Sequence, residues 1–382
     1  MQKKIIALAV ASAAAGFASA PVLAQSNVSI YGVIDQAVTS QNQRSGGTVT
    51  SIQGSGYSTE RLGFKGTEDM GNGLKANFVL EMGIDSNNGD LDNSNGAAAG
   101  AQHNTQLFQR LSTVGLSGNS WGAVNFGRQY TPIFWNVQAP NDVFNVAGTG
   151  SIYSLTNVGI TRASNSIKYD SPSMSGFGIS AMYGVGDTSG AGAATPSGSG
   201  NPSVGAALAA PLVGNQPMNL GRLAGISAYY ANGPLSLGIA YNTVYLVGLD
   251  ANNDWDQQKT SAATASYDFK VVKVLLGWQE NKVTDNLQDR TTWDIGAYVP
   301  IGNDTVKLQY ADRKDKIVNS GDSKLTVVGY VHPLSKRTTA YATYAHMTND
   351  NNAKQNLIFG YTGAIDNGFN ANGFQLGMSH NF

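Results

Sequence analysis

The chain has 382 residues, a net charge of −1, 13 % charged residues, 46 glycines and no cysteine. So mild a charge argues against a nucleic-acid partner, and the lack of cysteine excludes disulfide cross-links. Charge falls well short of the usual ~25 %; Gly, Ser, Thr, Asn, Gln and Tyr fill the gap, a blend suited to many strands and turns.

Lys3 and Lys4 precede an apolar stretch over residues 5–20, and Val22-Leu23-Ala24 fits a small-x-small cleavage site. Residues 1–24 read as a secretory signal peptide, and residues 25–382 as one mature domain. Two lysines leave with the leader, so the mature charge is −3. Past residue 24 no apolar run approaches the ~20 residues of a membrane helix.

Period-two alternation then begins and persists. Over residues 28–38, Val28, Ile30, Gly32, Ile34 and Val38 share one face; Ser29, Tyr31, Val33, Asp35 and Ala37 share the other. Such spacing predicts strands with one apolar face. A long loop is expected over residues 42–56. In the strand at 57–68, Leu62 and Phe64 take the apolar face, which leaves Arg61 and Lys65 on the polar one. At 74–84, Ala76, Phe78, Leu80, Met82 and Ile84 oppose Lys75, Asn77, Val79 and Glu81. At 106–116 the alternation is less clean, with Arg110 placed on the polar face; Arg128 ends the next strand. The connection 131–161 is long yet bulky, with Phe134, Trp135, Val143, Phe144, Ile152 and Tyr153, and Asp142 is its sole acid. In the strand at 162–170, Ile167 and Tyr169 are apolar-facing, and Arg162, Lys168 and Asp170 oppose them. Residues 187–219, rich in Gly, Ala, Ser and Pro, read as a mobile loop. Further alternation follows at 235–247 and 272–279. In the closing strand at 373–382, Phe374, Leu376, Met378 and Phe382 line one face.

Short turns at 69–73, 118–122, 172–176, 232–234, 268–270, 300–303 and 334–337 alternate with long loops. Seven turns and eight loops imply sixteen strands. The pattern predicts a 16-stranded antiparallel transmembrane β-barrel, with all short turns at one end and all loops at the other. Lipid offers no hydrogen bonds, so the sheet must close on itself. A soluble sandwich or β-helix fits the regular turn-loop alternation less well. Sixteen strands leave a water-filled lumen. Apolar faces then meet lipid, and Arg61, Lys65, Arg110, Arg128, Arg162 and Lys168 line the pore, since an arginine facing mid-membrane lipid costs about 2–4 kcal/mol. The bulky loop 131–161 is expected to fold into the lumen, with Asp142 opposite the arginines.

Catalytic patterns are missing. His103, His332, His346 and His380 form no His-x-x-x-His pair, and neither a Gly-x-Ser-x-Gly elbow nor a P-loop occurs. No enzyme, cofactor or metal is expected.

Ser29-Ile30-Tyr31-Gly32-Val33-Ile34-Asp35, residues 61–69 (RLGFKGTED), Val114-Gly115-Leu116-Ser117-Gly118, Phe126-Gly127-Arg128-Gln129, residues 165–172 (NSIKYDSP), Leu334-Ser335-Lys336-Arg337-Thr338 and the terminal Phe382 occur in this order. Together they resemble the general, non-specific porins of Gram-negative bacteria, of the beta-proteobacterial type. The resemblance implies a homotrimer in the outer membrane, embedded in its lipids, with the third loop folded into each pore. It implies that Arg61, Arg110, Arg128 and Arg162 line the eyelet against loop acids, and that Phe382 is read by the barrel assembly machinery. The family's loop often carries Pro-Glu-Phe-Gly-Gly; here the region reads Pro132-Ile133-Phe134-Trp135 and Pro140-Asn141-Asp142, without the glutamate. The function expected is passive diffusion of small hydrophilic solutes and ions, with a mild anion preference. The alternatives are a substrate-specific porin for sugars or organic acids, and a plugged barrel acting as an adhesin.

Overall fold

The computed structural model describes residues 27–42, 47–91, 107–156, 161–186, 222–246, 256–357 and 366–382. Sixteen staves form one closed antiparallel sheet. They are β1 (Asn27–Asn42), β2 (in two pieces, Thr48–Gly54 and Arg61–Gly71), β3 (Leu74–Met82), β4 (Leu111–Gly118), β5 (Gly122–Tyr130), β6 (Arg162–Asp170), β7 (Phe177–Val185) and β8 (Arg222–Asn232). There follow β9 (Leu235–Leu246), β10 (Asp256–Asp268), β11 (Lys273–Val283), β12 (Gln288–Ile301), β13 (Asp304–Asp315), β14 (Ser323–Pro333), β15 (Thr338–Asn349) and β16 (Ala371–Asn381). The proposed leader, residues 1–24, lies outside the described residues, as does the loop at 187–219.

The seam lies between β1 and β16, in register from Val33↔Asn381 to Asn42↔Asn372. Gly32 and Phe382 extend it by exchanging both backbone hydrogen bonds, each at 3.1 Å. A Cβ on Gly32 would collide with the Phe382 ring and with the Arg61 carbonyl, so the seam needs glycine here.

The long loop expected at 42–56 is not there. Residues 48–54 pair with β1, from Asn42↔Thr48 to Gln36↔Gly54. Their sequence, TVTSIQG, is a Thr- and β-branched-rich strand hidden among small residues. The loop-like composition instead marks a break in the stave: β1 is paired to Gly54 above and to Arg61 below, through Val33↔Arg61. Between them the chain leaves the wall. The orphaned backbone is not left bare. Ser55 donates its N–H to the Asp35 carbonyl at 3.0 Å, and the Asp35 N–H donates to Glu60 Oε1 at 2.8 Å. Membrane-depth backbone demands such replacements.

The outward faces carry the apolar stripes. Val28, Ile30, Ile34, Val38, Val114, Phe126, Ile239, Leu276, Trp293, Leu376 and Met378 are among the exposed side chains. The strand faces of β1 to β5 turn no Tyr or Trp outward, whereas Tyr183, Tyr241, Trp278, Trp293, Tyr330 and Tyr344 are exposed on β7 to β15.

Inside, the wall is not uniformly polar. Leu275, Ala311, Leu325, Val327, Ala345, Met347 and Ala371 face inward and are buried with Val143, Phe144, Ile152 and Leu155 of the loop after β5. The described part of that loop, residues 131–156, is folded into the barrel. Burying it on an apolar seat removes both surfaces from water.

Candidate pore constriction

The inner loop enters from β5 as a π-helical turn, Phe134–Gln138, and a short helix, Ala139–Asn141. It then follows the wall. Asn136 Nδ2 donates to Ser180 and Ser227 on β7 and β8, at 3.0 and 2.8 Å. Asn141 Nδ2 donates to Asp294 on β12 at 2.7 Å, and the Val143 N–H to Gln309 on β13 at 2.9 Å. The Thr149 N–H reaches Gln375 on β16 at 2.9 Å. The loop also grips the break in β2, where Gly148 N–H donates to the Ser55 carbonyl at 3.0 Å and Asn145 Nδ2 to that of Tyr57 at 3.1 Å.

Asp35 supports this junction. Its carboxylate, wholly buried, accepts the N–H groups of Gly56, Tyr57 and Ser58 at 3.2, 3.0 and 2.7 Å, and also the Tyr341 hydroxyl. One side chain thus holds residues 55–60 inward. Tyr57, at the tip, stacks on Tyr341 at 5.4 Å, and Lys307 lies 4.5 Å from its ring centroid.

The arginines occupy the wall that the inner loop leaves uncovered. Arg110 Nε binds Glu81 Oε1 at 2.7 Å, and its Nη2 donates to the Tyr130 hydroxyl at 2.8 Å. Arg162 Nη2 donates to that same oxygen at 2.8 Å, with its guanidinium 4.4 Å from the Tyr130 ring centroid. Arg61 is held over the break by the Thr59 carbonyl (3.0 Å) and the Ser58 hydroxyl (3.2 Å). Arg128 donates to the Gln109 carbonyl at 2.5 Å and to Ser164 Oγ at 2.9 Å. A register shift between Gly127 and Gln129 breaks the alternation that faces Phe126 outward. Gly127 has φ +118°, and a Cβ there would strike the Ser112 carbonyl oxygen; the irregularity re-aims its neighbour, a common use of bulges. Arg110 likewise escapes strict parity because β4 begins only at Leu111.

Three of the sequence-predicted charges stand elsewhere. Lys65 lies four residues toward the turn end from Arg61, about 13 Å along the strand at ~3.3 Å per residue; it is exposed, with Nζ 5.0 Å from the Tyr31 ring centroid. Lys168 pairs with Asp170 at 3.2 Å near the foot of β6. Asp142 is the clearest correction. It is only 3 % exposed, packed within the loop and not presented to the lumen opposite the arginines. Its oxygens accept the Phe144 N–H at 2.8 Å and the Ser151 hydroxyl, knotting the loop to itself. The carboxylate that does meet the arginines is Glu81, whose inward parity is readable in the alternation at 74–84. Tyr130 had no such signal, since an aromatic at a strand end reads as membrane belt.

Burial pushes the Asp142 carboxyl up to about 6 from an ordinary 3.8, against the hydrogen bonds from Ser151 and Phe144. The folded protein therefore favours the neutral acid. This contribution is complete below about pH 4 and is lost as pH rises through 6, on the order of 3 kcal/mol in all. The loop is expected to sit more firmly at pH 5 than at pH 7, with fewer spontaneous closures in single-channel records. Asp142→Asn should flatten that dependence; an unchanged pH profile in the Asn variant would refute it.

The family model for Gram-negative porins matches residues 7–352. The chain belongs to the Gram-negative porin family. Outer membrane porin protein 32 of Delftia acidovorans is 32 % identical, and the match covers all of both chains. A Bordetella pertussis outer membrane porin is 28 % identical over 91 % of this chain and 95 % of its own. Among solved structures, an anion-selective porin from Comamonas acidovorans superposes with a TM-score of 0.78 at 29 % identity, over 94 % of this porin and all of that chain. Trimeric OmpT of Vibrio cholerae shares the fold at 14 % identity, with a TM-score of 0.62 over 94 % of this porin and 99 % of that chain. The protein is an outer-membrane porin, a β-barrel channel of the Gram-negative envelope.

Proposed function

We propose that this porin passes small hydrophilic solutes by diffusion and prefers anions, with Arg61, Arg110, Arg128 and Arg162 setting the preference at its eyelet. One observation carries the reading: two guanidiniums converge on the Tyr130 hydroxyl while one carboxylate, Glu81, touches the group. In a narrow, partly desolvated passage a cluster of like charges focuses its field on passing ions. Lys65 adds a positive charge toward the turn end, whereas Lys168 is balanced by Asp170. Reversal potentials in a KCl gradient across a planar bilayer test this. Chloride should carry most of the current; a potassium-selective reversal potential would sink the reading.

The porin is read as a homotrimer. The Tyr- and Trp-free outer faces of β1 to β5 support this, because interfacial aromatics mark lipid contact and a sector without them suits a neighbouring subunit. The leader, residues 1–24, is taken to be removed on export, and Phe382 to be the mark by which the assembly machinery recognises the chain. No catalysis is assigned.

A further inference from the structure

The outward face of β10 is recessed. Gln258, Thr260 and Ala262 are buried on its inner side, so alternation turns Ser261, Ala263 and Ala265 outward. Register places Tyr241, Ile239 and Leu237 of β9 beside them on one flank. Glu280, Trp278 and Leu276 of β11 stand on the other. The five large apolar side chains project from the wall, each 42–62 % exposed. Between them the small residues leave a channel, with flanking strands about 10 Å apart and about 13 Å of length from Ser261 to Ala265.

The loop end of this channel is cationic. Lys259 follows Ser261 two residues higher and lies directly opposite Lys282, and both are exposed. Like charges directly opposite on neighbouring strands repel. Lys282 has Glu280 at 3.0 Å, but Lys316 shares that carboxylate at 3.2 Å and also holds Asp289 at 3.1 Å. Lys259 pairs with no carboxylate among the described residues. An apolar channel suits an acyl chain, and a lysine pair suits an anion; their junction suits a molecule that has both. We propose that this face holds one phosphorylated lipid of the leaflet at the loop end. Its phosphate sits between the Lys259 and Lys282 ammoniums, and an acyl chain runs down the channel against Tyr241 and Trp278. Tyr and Trp rings lie where headgroups meet acyl chains, which puts the two lysines at phosphate depth. Lysine binds phosphate as a point charge, and its long stem reaches a headgroup from the wall. The site lies on β9 to β11, away from the outer faces of β1 to β5, and is independent of the ion preference proposed for the pore.

The test titrates the purified full-length porin in dodecyl maltoside with dimyristoyl phosphatidic acid, dimyristoyl phosphatidylcholine or inorganic phosphate. Native mass spectrometry counts the lipid retained per chain. Phosphatidic acid should half-saturate the protein at a concentration at least about tenfold below phosphatidylcholine, as two surface lysines give. Lys259→Gln should raise that concentration about fivefold. Ala263→Trp, which fills the channel on a lipid-facing surface, should weaken both lipids. Lys324→Gln, at another exposed lysine of the loop end, should change neither. Equal retention of the two lipids by the unaltered protein overturns the site, and this needs no variant to fold. An undiminished preference in Lys259→Gln overturns it as well, and so does an equal loss in Lys324→Gln, which would mean diffuse charge in place of a site. If inorganic phosphate displaces the lipid at matching concentrations, the lysines hold a free anion and the lipid assignment fails.

Discussion

Replacing Asp35 with alanine should enlarge and loosen the pore. The variant removes the acceptor for three backbone N–H groups and for the Tyr341 hydroxyl. These donors are enclosed by the wall and by the inner loop, and each buried donor left unpaired costs ~1–3 kcal/mol. Partial rescue by water keeps the total on the order of 3–5 kcal/mol. Residues 55–60 would then swing free, taking Tyr57 from Tyr341 and depriving Asn145 and Gly148 of their partners. The inner loop would lose its grip on the β2 side while keeping its seat on β12 to β16. Single-channel conductance should rise and current noise with it, and the heat needed to unfold the barrel in detergent should fall. Asp35→Asn should lie between, since one carbonyl oxygen remains to accept while its amide group faces donors. Unaltered conductance and unfolding temperature in Asp35→Ala would mean that residues 55–60 are held by something else.

Arg110→Ala should be equally disruptive for a different reason. The pair with Glu81 is almost fully buried, with side chains 5 % and 4 % exposed. Removing one partner strands a carboxylate inside the wall, at about 3–5 kcal/mol; the Tyr31 hydroxyl, which donates to the other oxygen at 2.8 Å, cannot neutralise it. Adding Glu81→Gln should return most of the stability, because a neutral amide tolerates the site. Selectivity should respond differently. Arg110→Ala alone removes one positive charge from the eyelet, and the double variant removes one of each sign. Urea unfolding and reversal potentials on the four proteins of this double-mutant cycle separate the two effects. If the double variant is no more stable than Arg110→Ala, the cost does not come from the stranded Glu81.

Much of the barrel is legible before any coordinates. Period-two alternation at residues 28–38 and 373–382 finds β16 to within two residues and all of β1 but Asn27 and the last four residues, because each pleat exposes its faces to two different solvents. Three features escape for physical reasons. Residues 48–54 hide their pairing because small polar residues serve a strand and a loop equally. Leu275, Leu325 and Met347 contradict the polar-inside rule, since they face the buried side of the inner loop rather than water. Asp142 misleads because sequence gives the sign of a charge without its burial. Arg61 and Arg162 are foreseeable from parity, whereas Arg128 needs the irregular backbone at Gly127, which alternation cannot announce.

The bonds between Gly32 and Phe382 bear on how the cell makes the protein. They join the first strand to the residue that follows the sixteenth, so the contact that shuts the cylinder is also among the most distant in sequence, and such contacts form late. A sheet that lacks β16 keeps a raw edge of unpaired peptide groups that lipid cannot satisfy. Only with β16 paired to β1 is the wall closed. Without β16 the cylinder is an open sheet, and an open sheet encloses no pore.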